Sequence, residues 1–154
     1  MLNRVSALAA PEPDELVGRW SIDRDLEDVR AGRRGHFTGM LSVEPATHGY
    51  RWLNYGSFTW GDYQGSAERQ LGLSVRDGEW WMTFADGRAF HPWRYNARLV
   101  HPCADDLYRG SVSYDPSSSD RMRICWEVTG PRKHQRIISR LRRYGQRVNP
   151  GGAS

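Results

Sequence analysis

Lysine is almost missing from this 154-residue chain, where Lys133 stands alone against 21 arginines. So one-sided a choice of cation is compositional, and the arginine count alone does not mark a phosphate-binding protein. Acidic residues are missing only locally. From residue 131 onward there are seven basic residues and no Asp or Glu, which leaves 15 basic against 18 acidic residues before it. The net charge of +4 therefore belongs to one terminal segment, and an extended nucleic-acid-binding surface is not expected. The two cysteines, Cys103 and Cys125, are too few for a disulfide framework and are expected as free thiols in a reducing compartment. No apolar run is long enough to span a bilayer or to form the core of a secretory signal, so a cytoplasmic protein without membrane attachment is expected. Long amphipathic helices are also missing, and with them the crossovers that a parallel sheet requires.

What is present reads as strands. A short helical turn over residues 14–19, capped by Asp14 with Glu15 in its first turn, precedes them. Segments rich in aromatic and β-branched residues then follow at 20–24, 36–44, 50–60, 66–75, 79–84, 88–93, 107–114, 121–129 and 134–144, with a weaker one at 96–100. Turn signals separate them: Pro45 with Gly49, Gly61-Asp62, Asp77-Gly78, Asp86-Gly87, the PSSS run at 116–119 and Gly130-Pro131. About ten strands at hairpin spacing form a meander, and a meander of this length removes its edges by closing into an up-and-down antiparallel barrel. The expected organisation is an all-β barrel over residues 14–146 between tails at 1–13 and 147–154.

The strand HQRIISRLRRY carries polar residues on both faces: His134, Arg136, Ile138, Arg140 and Arg142 alternate with Gln135, Ile137, Ser139, Leu141 and Arg143. A solvated outer face and an internal cavity with paired polar groups both fit this pattern. Seven tryptophans and seven tyrosines favour the cavity, because Trp52, Tyr55, Trp60, Trp81, Trp93 and Trp126 fall on strands, and aromatic walls with a few fixed polar groups describe a small-molecule pocket.

Gly18-Arg19-Trp20 at the entrance to the first strand, with Arg140 and Arg142 on the last, resembles the lipocalin and calycin arrangement. That resemblance implies a tryptophan closing the barrel bottom under an arginine. The stretches GRWSIDR (18–24), FADGRAFHPW (84–93), HPCADDLYRG (101–110) and WEVTGPRKHQRIISRLRR (126–143) resemble, more specifically, a lipocalin-like bacterial and fungal family of uncharacterised function. The family pattern has acidic residues before the glycine of the third strand, where this chain reads LNYGSF with Asn54 and Tyr55.

The residues HPCADDLYRG concentrate the reactive side chains. His101 and Cys103 share one side of a strand, yet zinc needs three or four ligands and no second pair of Cys or His at metal spacing exists, so no metal is expected. A Cys103 nucleophile with His101 as base is disfavoured because such pairs usually come from separate elements. A corner between two strands fits best: Pro102 cannot donate to a ladder and Asp105-Asp106 favour a turn. Lys133, on the GPRKH hairpin, either is solvated or meets Asp105, Asp106 or an anionic ligand at the same rim. Around Asp86-Gly87, a two-residue turn, Arg88 and Phe90 are expected to face inward and His91 to lie at the rim or to be internally satisfied.

The reading that follows is a small-molecule-binding barrel for a partly apolar, anionic or carbonyl-bearing molecule, with Arg24, Arg69, Arg88 and Arg140 as inward charges. Tyr55, Trp60, Trp81, Phe90, Trp126 and Lys133 complete the expected lining. An alternative is a cofactor-free cyclase, isomerase or hydratase using His101, Asp106 or Tyr108 for proton transfer. A nitrobindin-like haem site with one axial histidine is a further alternative. No cofactor is otherwise expected, and a homodimer is left open.

Overall fold

The computed structural model describes residues 9–145. The N-terminal helical turn is a 3-10 turn over Pro13–Leu16, shorter than the sequence suggests. Glu12 occupies its cap position in place of Asp14: the Glu12 amide donates to Glu15 Oε1 at 3.1 Å. Its last residue, Leu16, is fully buried and its carbonyl accepts from Trp20 Nε1 at 2.9 Å, so the turn plugs one end of the fold.

Ten strands follow: β1 (Gly18–Asp28), β2 (Arg33–Ala46), β3 (Gly49–Trp60), β4 (Tyr63–Arg76), β5 (Glu79–Phe84), β6 (Ala89–Pro92), β7 (Leu99–Cys103), β8 (Asp106–Asp115), β9 (Ser118–Gly130) and β10 (Lys133–Tyr144). All neighbours are antiparallel, and β1 pairs with β10, so the meander closes on itself through its first and last strands. The break in the ring lies between β6 and β7, which bear no ladder between them. The result is an all-β, nearly closed barrel, as the hairpin spacing predicts.

Side-chain alternation sets the inside. Trp20 and Ile22 on β1, Phe37, Leu41 and Val43 on β2, and Trp52 on β3 are buried, and the register aligns them across the sheet: Trp20 opposite Leu41, Ile22 opposite Leu141. Each large apolar side chain so enclosed contributes on the order of 1.5–3 kcal/mol. On β10 the inward set is Gln135, Ile137, Ser139, Leu141 and Arg143, because Trp20 pairs with Arg143 and Ile22 with Leu141. The arginine that crosses the first-strand tryptophan is therefore Arg143 and not Arg140 or Arg142, both of which point outward. Its guanidinium carbon lies 4.3 Å from the Trp20 ring centre, and its nitrogens reach the Val17 carbonyl and Asp120 at 3.2 and 2.9 Å.

Candidate functional site

The opposite end of the barrel is open because of a row of small residues. Across β2, β3 and β4 the inward positions Gly39, Gly56 and Ala67 lie side by side, while the next row toward the open end carries Phe37, Phe58 and Gly65. No side chain rises from the first row to fill the interior. A depression of about 270 Å³ results, bounded by Arg24, Phe37, Asn54, Phe58 and Arg69. It adjoins a second of about 330 Å³ lined by Trp60, Gln135 and Ile137, the two sharing Leu26 and Phe58 as a common wall.

Two arginines border this depression, with the Glu68 carboxylate also at its edge and Glu27 at the edge of the adjoining one. Arg24 Nε donates to Ser139 Oγ at 2.7 Å and its Nη2 to Asn54 Oδ1 at 3.5 Å, both neutral acceptors. Its guanidinium carbon also lies 5.1 Å from the centre of the Phe37 ring. Burial, and then the neighbouring charge of Arg69, lower the Arg24 pKa to about 10. Among the described residues, neither Arg24 nor Arg69 has a carboxylate partner. Asn54, which accepts from Arg24, is buried at 5 % exposure and brings no charge to them.

Arg69 connects this polar side to an aromatic one, its guanidinium carbon lying 5.9 Å from the Phe90 ring. Phe90 stacks on Phe84 at 4.7 Å and on Trp126 at 5.3 Å, and meets His101 and Tyr108 edge-on at 5.1 and 6.1 Å. His101 and Tyr108 face each other across the β7–β8 pair, with ring centres 6.1 Å apart. These rings close the β6–β7 break by packing where backbone hydrogen bonds do not. Desolvation lowers the pKa of His101, which keeps its imidazole neutral.

His91 does not alternate with Phe90 as a regular strand would require. The β5–β6 register slips between Met82 and Thr83, and this bulge turns both side chains inward, Phe90 to 6 % and His91 to 3 % exposure. Of the two expected placements the internally satisfied one holds and the rim one does not. His91 Nδ1 lies 2.8 Å from the Pro92 carbonyl, and desolvation lowers its pKa to about 4.

Of the residues singled out in the sequence, the interior brings together Arg24, Trp60, Arg69, Phe90, Trp126, His101 and Tyr108. Six others lie elsewhere, Asp106 and Lys133 in a rim ion pair and four on the outer face or in a turn. Tyr55 is 39 % exposed on the outer face of β3, since Trp52 and Asn54 take the inward positions. On β5, Met82 opposite Leu73 is inward, which puts Trp80 inside and Trp81 out. Arg88 belongs to the turn before β6, and its side chain, 78 % exposed, pairs with Asp86 at 2.7 Å. Arg140 is outward and pairs with Asp25 at 2.9 Å.

HPCADDLYRG is a corner: β7 and β8 join through Ala104-Asp105, with Ala104 at φ 53°, and Cys103 is exposed while His101 points inward. Lys133 meets Asp106 at 3.4 Å at the rim, and the Asp106 carboxylate fits only because residue 130 is glycine, where a Cβ would come within 2.0 Å of Oδ1. Asp106 consequently serves the corner through its pair with Lys133. Among the described residues no three His, Cys, Asp or Glu side chains converge in a way that could hold a metal ion.

Sequence reasoning missed Asn54, Phe37 and Phe58 as lining and Ser139 as the buried acceptor of Arg24. Gly39, Gly56 and Ala67 were the available signal, small residues at inward parity on three successive strands.

The barrel resembles that of an S-type phycobiliprotein lyase from Guillardia theta, at TM-score 0.59 and 8 % identity over 88 % of this chain and 92 % of that one. It also resembles a DUF3598-family protein of unknown function from Nostoc punctiforme, at TM-score 0.53 and 8 % identity. That likeness covers 91 % of this chain, which spans about half (52 %) of the Nostoc protein. At these identities the likeness is one of fold. No curated protein matches the sequence. The sequence does match, over residues 16–143, the family of unknown function DUF6314, and the chain belongs to that family.

Proposed function

We propose that the protein is a lipocalin-type binder of a small, partly apolar anion, held in the open end of the barrel with its charge on Arg24 and Arg69 and its apolar part against Phe90 and Trp126. One observation carries the reading: half-buried Arg24 lies close enough to Arg69 for the two charges to oppose each other, and among the described residues neither makes an ion pair, not even with the Glu68 carboxylate at the edge of the same depression. Desolvating Arg24 beside a second positive charge costs free energy that a bound anion returns, and the planar guanidinium suits a carboxylate, sulfonate or enolate oxygen pair. The aromatic side supplies area for stacking, and the 270 and 330 Å³ spaces suit a ligand of one or two rings. A cytoplasmic small molecule is the expected partner.

Native mass spectrometry of the full chain tests this. The wild type should carry a co-purified organic acid that is lost from an Arg24→Gln/Arg69→Gln variant; a ligand retained by that variant, or a neutral ligand, would overturn the reading.

A second reading, a cofactor-free cyclase, isomerase or hydratase, is favoured by the pairing of a neutral His101 with Tyr108 beside the same cavity. In that case His101→Ala abolishes turnover while leaving ligand affinity within about threefold, a separation that a purely binding role for the cavity does not produce. Axial haem ligation would give a Soret band on adding haemin, and the anion reading expects none.

A further inference from the structure

One row of the barrel's outer wall alternates in charge, and farther along the same strands like charges face each other. Level with the β8–β9–β10–β1 corner near Glu127, the outward residues alternate in sign from strand to strand: Arg109, Glu127, Arg136, Glu27, Arg34. Each arginine there has an acid beside it, and Arg136 pairs with Glu127 at 3.4 Å. Farther along the same strands the alternation stops. Arg123 stands directly opposite Arg140, and Arg121 directly opposite Arg142.

Like charges directly opposite on one sheet face destabilise the pairing. A square of four such side chains therefore needs another explanation. With strands about 4.8 Å apart and outward residues about 6.7 Å apart along each, the four side chains start from a rectangle small enough to converge on one or two tetrahedral anions.

The surroundings fit. The four arginines, with Ser21 and Ser113 and the carboxylates of Asp23 and Asp115, bound an open depression of about 570 Å³. Both hydroxyls hold only long bonds to main-chain carbonyls, Ser21 to Arg142 at 3.3 Å and Ser113 to Arg123 at 3.5 Å, and can turn toward a ligand. Acidic neighbours only partly offset the charge. Arg140 has Asp25, Asp23 is held by His36 at 2.8 Å, Asp120 by Arg143 at 2.9 Å, and Asp115 lies near Arg121. Among the described residues, Arg121, Arg123 and Arg142 make no ion pair. Tyr114 borders the depression but packs edge-on against Tyr95, and Tyr144 stands beyond Arg142 on β10, so no row of rings between the arginines offers the stacking platform of a single-stranded nucleic-acid site.

We propose that Arg121, Arg123, Arg140 and Arg142 form a second, external site on the barrel wall for a soluble small molecule bearing a phosphate or diphosphate group, separate from the internal cavity. Guanidinium forks grip phosphoryl oxygens bidentately, and binding there removes the repulsion that the empty square carries.

Inorganic pyrophosphate, titrated calorimetrically into the full chain at fixed salt, is the probe. Binding is expected at one site and should weaken at least tenfold in Arg123→Gln/Arg142→Gln, while Arg136→Gln binds as wild type does. Loss of the like-charge contacts should leave the double variant's melting temperature unchanged or raised, so a failure to bind is not a failure to fold. No binding by the wild type, equal binding by the double variant, or tighter binding of a single-stranded oligonucleotide of matched charge would each overturn the proposal.

Discussion

The guanidinium carbon of Arg143 sits 4.3 Å from the centre of the Trp20 ring, and this contact, with the Leu16 carbonyl on the indole nitrogen, seals one end of the barrel. Arg143 is 8 % exposed and ties the turn to the sheet through the Val17 carbonyl and Asp120. Arg143→Ala leaves those acceptors without their donor and uncovers the indole, and is expected to cost about 3–5 kcal/mol in urea melts. Arg140→Ala, removing an exposed pair with Asp25, should cost no more than about 1 kcal/mol. Equal losses would show that Arg143 does not close the barrel.

His91 makes stability depend on pH in a fixed direction. Its folded pKa of about 4 lies below its ordinary value of 6.5, chiefly through desolvation, so the unfolded chain binds this proton more readily. Stability should fall as pH drops from 6.5 toward 4, by about 1.4 kcal/mol per unit below 6.5 and roughly 3 kcal/mol in all. Carboxylates add their own dependence at lower pH. His91→Gln isolates the histidine: the difference between its urea-melt slope and that of wild type should be confined to this window. If the two pH profiles run parallel, His91 is not held neutral by burial.

The row of small residues is what keeps the interior open. A Cβ on Gly56 would lie 2.2 Å from the Thr38 carbonyl oxygen and 2.6 Å from Gly39 Cα, both backbone atoms that cannot rotate aside. Gly56→Ala should therefore destabilise by about 1–3 kcal/mol. Ala67 borders the cavity but is itself exposed, so Ala67→Phe should leave the melting temperature nearly unchanged while filling the space. Calorimetric titration of an anionic aromatic ligand is expected to show at least a tenfold loss of affinity in Ala67→Phe; unchanged affinity would place the ligand elsewhere.

The strands were legible because alternation and turn residues agree along most of the chain. WSIDR, HFTGMLSVE and RMRICWEVT lie within β1, β2 and β9 with Trp20, Phe37 and Met122 buried. The site was less legible wherever alternation is ambiguous or broken. EWWMTF offers a tryptophan to each face, and only the Met82–Leu73 register decides that Trp80 is the inner one. The bulge at Met82 and Thr83 puts Phe90 and His91 on the same side, which strict period-two reading forbids. HQRIISRLRRY carries arginines in both sets, so the identity of the inward one waits on its partner Trp20, a contact 123 residues away in sequence that local pattern does not encode. Arg88 failed for a simpler reason, since its Asp86 partner lies two residues back in the same turn.

The central claim is that the cavity selects for negative charge through Arg24 and Arg69. Calorimetric titration of the full chain with 8-anilinonaphthalene-1-sulfonate, set beside its neutral counterpart N-phenyl-1-naphthylamine, measures this selection directly because the two share their rings and differ in the sulfonate. The sulfonate is expected to bind one per chain, at least tenfold more tightly, with that advantage abolished in Arg24→Gln/Arg69→Gln of unchanged circular dichroism. Equal affinity of the two compounds for the wild type, or an advantage that survives in the variant, would contradict it.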